Sequence, residues 1–184
     1  LPLGGIETWL MHILRRDRST LVRHELLLMM EEPGAYEPEA RRLGITIHRL
    51  PHKGSWLRWF VDCYKLLKRK GPFDVLHSHV SYLVGAPIIA VGMLAGIRSR
   101  IAHQHSARRL GADFSIRERL LRPIAMQIYR ITATRRIGIT EAAIEEIAGH
   151  RWPRHDNCSI LLYGFDYSNF RGSAERARKL REEL

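Results

Sequence analysis

Residues 73–105, FDVLHSHVSYLVGAPIIAVGMLAGIRSRIAHQH, read as strand, helix, strand, and that order decides the fold class. Gly71 and Pro72 close whatever precedes, and Phe73–His79 (FDVLHSH) is then a short strand. The apolar run Tyr82–Ile97 holds Gly85, Pro87 and Gly92 and is about 16 residues long, short of the roughly 18–20 that a membrane span needs. It is expected as a helix buried in a core, over about 81–95. Arg98–His105 (RSRIAHQH) is the second strand. Two strands joined by a crossover helix of this length pair in parallel.

The same alternation runs outward in both directions. Upstream, ELLLMM within Val22–Met30 is a continuous apolar run, the pattern of a strand covered on both faces. A brief helix over Tyr36–Leu43 and a strand at Ile45, Ile47 and Leu50 follow. Ser55–Lys70 carries Trp56, Trp59, Phe60, Cys63 and Leu67 at helical spacing, with lysines at the C-terminal end where the helix dipole favours them. Downstream, Ser115 with Glu118 three residues later has capping-box spacing and opens a helix to about Thr132, with Pro123 a candidate kink. Arg135–Ile139 is a strand, Thr140 caps a helix over Glu141–Gly149, and Asn157–Leu162 is a last strand. The expected strands therefore lie near 22–29, 45–50, 74–79, 99–104, 135–139 and 158–162. The fold class is α/β: a Rossmann-like open parallel sheet with helices on both faces.

At the start of the chain, Leu1–Leu14 (LPLGGIETWLMHIL) sets Gly4 and Gly5 at the mouth of an amphipathic helix whose buried stripe is expected to be Ile6, Trp9, Leu10, Ile13 and Leu14. Unpaired first-turn N–H groups and the positive dipole end suit an anion there, most naturally a phosphate, and the glycines allow close approach. A turn that only tightens the helix entry is the other reading of the pair.

Ligands in open parallel sheets bind beyond the carboxyl ends of the strands. His77 and His79 end one strand, His103 and His105 the next, and Thr140 with Glu141 follow a third. Residues two apart share a face, so each pair presents two imidazoles to one side. Substrate hydrogen bonding fits them better than metal ligation, since no carboxylate or thiol stands at ligand spacing beside either pair. Ser78 and Ser106 lack the glycine-flanked elbow of a nucleophilic serine, and GGIE is neither a P-loop nor GxGxxG.

With 184 residues, the chain suffices for one substantial core, and its formal charge of +11 favours nucleic acid, anionic membrane surfaces or phosphorylated small molecules. Basic residues are scattered, and no RNA- or DNA-reading motif interleaves them with aromatics. Cys63 and Cys158 stand far apart and read as packing residues in a reducing compartment. Residues 173–184 are almost all charged or Ala, as a linker helix would be.

Taken in order, GGIETWLMHIL, FDVLHSHVSYLVGAPIIA, RIAHQHS, IGITEAAIEEIAG and ILLYGFDYSNF resemble the N-terminal domain of the retaining glycosyltransferases of family 4, which have the GT-B architecture. The resemblance covers Gly4–Phe170. It implies two Rossmann-like domains around a cleft, a nucleotide sugar held chiefly by the C-terminal one, a glycan or lipid-linked acceptor held by the N-terminal one, and no metal or other cofactor. By position, Gly4 and Gly5 match the glycine loop beside the donor diphosphate, and His105 matches the histidine that reaches the sugar and acceptor, here the candidate catalytic residue. Thr140 and Glu141 match a Ser-Glu helix start, where an ordinary N-cap is the alternative; with His77, His79 and His103 they are the candidate acceptor or sugar contacts. YGFD at Tyr163–Asp166 stands where the family often has NGID.

Two departures accompany the resemblance: the family's first strand, near the centre of its sheet, and its C-terminal domain have no counterpart in this sequence. The expectation is an acceptor-side domain over 1–171, the start of an interdomain linker helix over 172–184, and no sugar transfer by this chain alone. The implied location is cytoplasmic, with peripheral contact to the anionic inner face of a membrane and no nucleic-acid partner. The alternative is a non-catalytic basic α/β module binding nucleic acid or another anionic partner.

Overall fold

The computed structural model describes residues 4–17, 19–52, 54–107, 115–164, 178–179 and 181–183. The chain alternates helix and strand throughout: α1 (Gly5–Arg16), β1 (Glu25–Leu28), α2 (Glu37–Arg42), β2 (Thr46–Arg49), α3 (Trp56–Lys70), β3 (Val75–Ser78), α4 (Tyr82–Leu94), β4 (Ser99–Gln104), α5 (Ile116–Thr132), β5 (Arg135–Gly138), α6 (Glu141–Ala148), a 3-10 turn (Trp152–Arg154) and β6 (Cys158–Ile160). Each expected strand is present; β4 has the expected bounds, and the others are trimmed by one to three residues at one or both ends because the ladder stops before the apolar run does. Every pairing is parallel, including β3 with β4, where Val75 faces Ser99 and Ser78 faces Ala102.

The strands form two ladders rather than one, β1-β2 and β3-β4-β5-β6. Consequently β1 has β2 as its only strand neighbour among the described residues, and its leucines are half-buried except Leu28, which corrects the expectation of a strand covered on both faces. Helices lie on both faces of the parallel strands. No helix among the described residues is long and apolar enough to cross a membrane, and α4 instead fills the centre of the core. Its Tyr82, Ala86 and Ile89 pack with Ala102 of β4 and with Ala125 and Tyr129 of α5, while Ile88 and Val91 pack with Trp59, Cys63, Leu66 and Leu67 of α3.

Local chemistry sets the boundaries. Ser55 accepts from the Arg58 N–H, and the Ser115–Glu118 capping box is formed in full. The α5 helix continues through Pro123 without a break. At Gly138 a Cβ would come within 2.4 Å of the Ile144 backbone nitrogen, so only glycine lets α6 lie this close on β5.

The buried side of α1 differs from expectation: Trp9, Met11 and Leu14 are buried, whereas Ile13 is exposed. The helix is gripped by two neighbours, Met11 and Leu14 by Leu28, Ala40 and Ile45, and Trp9 by the histidine rings of β3 and β4. A single stripe cannot meet both. On α3, Trp56 is partly exposed and stacks on His52 and Phe60. The linker expected over 172–184 and the second half of YGFD lie mostly outside the described residues.

Candidate active site

Parallel register brings the two H-x-H strand ends into one cluster. Because Ser78 lies opposite Ala102, His79 comes level with His103, and the four rings interleave. His77 Nε2 lies 3.2 Å from His103 Nδ1, and His79 Nδ1 lies 2.7 Å from His105 Nε2. Within each strand the rings pack at 4.1 Å between His77 and His79 and 4.0 Å between His103 and His105. His103 and His105 are buried, His79 is half-buried and His77 is exposed.

Two residues not singled out from the sequence complete the cluster. Trp9 of α1 roofs it, its ring 5.4 Å from both His103 and His105 and 5.9 Å from His79. Tyr163, just beyond β6, stacks on Trp9 at 5.0 Å, and its hydroxyl is hydrogen-bonded to His105 Nδ1. In the sequence, Trp9 is one member of an apolar stripe and Tyr163 opens the YGFD that stands in place of NGID. The available signal was position: one follows the glycine pair by a helical turn, the other follows a strand end.

Loss of hydration among the packed side chains depresses the imidazoles from the ordinary 6.5, to about 4 for His105, about 3 for His103 and about 2 for His79, and to about 4 for His77, which is exposed yet flanked by the His79 and His103 rings. At His79, repulsion from the other three rings adds to burial. The cluster is therefore neutral near pH 7. Burial also raises the Tyr163 phenol, with the Glu7 carboxylate adding to it. His103 Nε2 and Ser78 Oγ are buried without a protein hydrogen-bond partner among the described residues.

Gly4 is the N-cap of α1 and Gly5 its first helical residue. The helix mouth is not bare. The Glu7 carboxylate lies against Gly4, where an added Cβ would approach its Oε2 to 2.3 Å, while nothing comes within 4 Å of a Cβ on Gly5. Through Glu7 and Tyr163 the mouth adjoins the histidine cluster. Thr140 and Glu141 do not join it: both are exposed, and the Thr140 hydroxyl accepts from the Ala143 N–H at 3.1 Å as a helix cap. Beside the end of β4 lies a cavity of about 220 Å³ lined by Ser81, Tyr82, Leu83, Gln104, Ser106, Ala107, Glu118 and Glu146.

Two chemistries fit four neutral imidazoles. Ring nitrogens of His77, His79 and His103 lie within 4.8 Å of one another, close enough for a transition-metal ion to bridge, with no carboxylate or thiolate in the group among the described residues. Alternatively, each neutral imidazole offers one donor and one acceptor, which matches a sugar hydroxyl. Neither uses a positive charge, so the cluster does not neutralise a phosphate.

No family model matches the chain. It is 25% identical over 176 residues to EpsF of Bacillus subtilis (strain 168), named as a glycosyltransferase, an alignment covering 95% of this chain and 45% of that protein. To the capsular polysaccharide biosynthesis glycosyltransferase CapH of Staphylococcus aureus it is 27% identical over 138 residues, 74% of this chain and 37% of the relative. The crystal structure of Anabaena HepE in complex with UDP and glucose superposes on 98% of the chain and 47% of HepE, with a TM-score of 0.66 and 16% identity. The chain thus spans less than half the length of these relatives. What it shares with HepE is the α/β fold, and what it shares with EpsF and CapH is sequence similarity to proteins named as glycosyltransferases.

Proposed function

We propose that this chain is the acceptor-side half of a retaining glycosyltransferase, moving a hexose from a nucleotide sugar to a polysaccharide or lipid-linked acceptor at the cytoplasmic face of a membrane. The observation that carries the reading is the roofed, neutral histidine cluster at the ends of β3 and β4, beside the mouth of α1. The similarity to EpsF along nearly the whole chain supports it.

In this reading His105 is the residue that meets the reacting sugar. With the Tyr163 hydroxyl donating to Nδ1, His105 carries its proton on Nε2 and donates it to His79 Nδ1, which in turn leaves a proton on His79 Nε2. A hydroxyl entering the cluster exchanges with one of these neighbours at equal hydrogen-bond count. His77, His79 and His103 orient the acceptor or sugar. The donor diphosphate meets the Gly4/Gly5 mouth once Glu7 has moved aside, a contribution of about 0.3–1 kcal/mol from the helix dipole. Neutralising the rest of its charge falls to residues outside this chain. Thr140 and Glu141 enter as contacts at the rim of the cleft, with Thr140 acting through the α6 cap.

The histidines work without a metal. In the full-length protein, His105→Ala is expected to abolish most turnover while chelators leave the parent enzyme unchanged. Chelator-sensitive turnover restored by zinc would transfer the cluster to the metal reading, and undiminished turnover in His105→Ala would remove the histidine from the reaction.

A further inference from the structure

The second long helix of the core, α5, exposes a row of large apolar side chains on the side away from its buried face. Ala125, Tyr129 and Thr132 are buried, whereas Ile116, Leu120, Ile124 and Ile131 are 79%, 65%, 56% and 65% exposed. The spacing of four, four and seven residues puts these four on one line along the helix. Isolated exposed leucines need no explanation, but four large apolar side chains on one face over about four turns, with Gln127 the one polar residue among them, do.

Charge selects the partner. The helix carries Arg117, Arg119, Arg122 and Arg130, with Arg117 and Arg119 flanking the row at its start and Arg130 near its end. Its one acid, Glu118, is taken up by the capping box with Ser115. Beside the row lies a surface cavity of about 390 Å³ lined by Arg119, Arg122, Pro123, Met126, Gly149 and His150. The carboxylates of α6 at its edge are engaged, Glu145 with His150 at 3.0 Å and Glu146 with Arg122 at 3.9 Å. A second exposed apolar row, Leu57, Val61 and Tyr64 on α3, differs in carrying an acid, Asp62, beside it.

We propose that α5 lies in the surface of an anionic phospholipid bilayer, its isoleucine and leucine row entering the acyl boundary and its arginines meeting headgroup phosphates. A helix lying in an interface has this anatomy: an apolar line, arginines along its edges and no free acid on the entering side. The inference deepens the membrane contact of the proposed function and rests on that part of it alone. If sugar transfer were disproved, the lipid face would stand or fall separately.

The test is co-sedimentation of the full-length protein with vesicles of phosphatidylcholine, with and without phosphatidylglycerol, in the absence of any sugar donor. Binding is expected only with phosphatidylglycerol and should weaken with salt. Leu120→Gln combined with Ile124→Gln should reduce partitioning about tenfold or more, and Arg117→Gln or Arg130→Gln about fivefold each. Leu57→Gln on α3 should leave it unchanged. Circular dichroism checks that each variant is folded, and turnover on a soluble acceptor should be the same for all of them. Equal binding to both vesicle types, or full binding by the Leu120/Ile124 variant, overturns the proposal. So does amide exchange in α5 that is already slow in solution and unaltered by vesicles, which would give this face to another part of the protein. Dimers in the ultracentrifuge that the Leu120/Ile124 variant abolishes, without lipid binding, would assign it instead to a second copy.

Discussion

Acidification from neutral pH to about 5 should destabilise the protein well before its carboxylates titrate. His103 and His105 are buried, and their folded pKa values of about 3 and about 4 lie below the 6.5 of an unfolded histidine. Below pH 6.5 the unfolded chain therefore takes up protons that the folded cluster refuses, so stability present above that pH is lost as pH falls. Each group costs about 1.4 kcal/mol per pH unit, so descending 1.5 units to pH 5 removes about 2 kcal/mol per histidine and about 4 kcal/mol for the buried pair. For a domain of this size that is a fall in Tm of roughly 8–16 °C. The acids held low by ion pairs or hydrogen bonds, Asp17 beside His24, Glu37 beside Arg49 and Glu39 beside Arg15, begin to matter as pH falls into the ordinary carboxylate range, where the unfolded chain protonates and the folded one does not. Melting followed by circular dichroism at half-unit steps checks the slope, and imidazole proton shifts in the folded protein check its origin. The double variant His103→Gln, His105→Gln should be less stable at neutral pH yet much flatter across this window. A Tm that moves by under about 3 °C between pH 6.5 and pH 5 would refute the neutral cluster.

Gly138→Ala should cost at least about 1–3 kcal/mol in urea unfolding, because its Cβ would meet the α6 backbone at Ile144 rather than a yielding side-chain end. Gly5→Ala meets nothing within 4 Å and should be neutral or mildly stabilising in the same assay; a drop in donor affinity with unchanged stability would single out the helix mouth as a phosphate seat. Ser115→Ala removes the side-chain half of the capping box, leaving the Ser115 backbone N–H on Glu118, and should destabilise by about 1 kcal/mol, read as a shift in urea midpoint at constant m-value. Tyr163→Phe leaves His105 Nδ1 without its partner, and turnover in the full-length protein should fall while Tm drops by no more than a few degrees, about 1 kcal/mol.

The sequence by itself determined the order of elements and the parallel pairing. A continuous apolar run between two short strands, as over residues 73–105, leaves a chain little choice but a crossover, and local signals such as Ser115 with Glu118 fix helix starts within a residue. Strand period likewise put each H-x-H pair on one side, and strand ends are where such sheets bind. Three things were decided only by tertiary structure. The first is the split into two ladders, because an apolar run shows that a strand is buried and not which strands flank it. The second is the roof: Trp9 and Tyr163 lie more than a hundred residues apart and meet over His105 only because α1 and the end of β6 arrive at the same sheet edge. The third is the charge state of the histidines. Isolated H-x-H pairs in water would titrate near 6.5, and it is the packing of the rings against one another, with His79, His103 and His105 under the Trp9 cover, that keeps them neutral and suited to a hydroxyl.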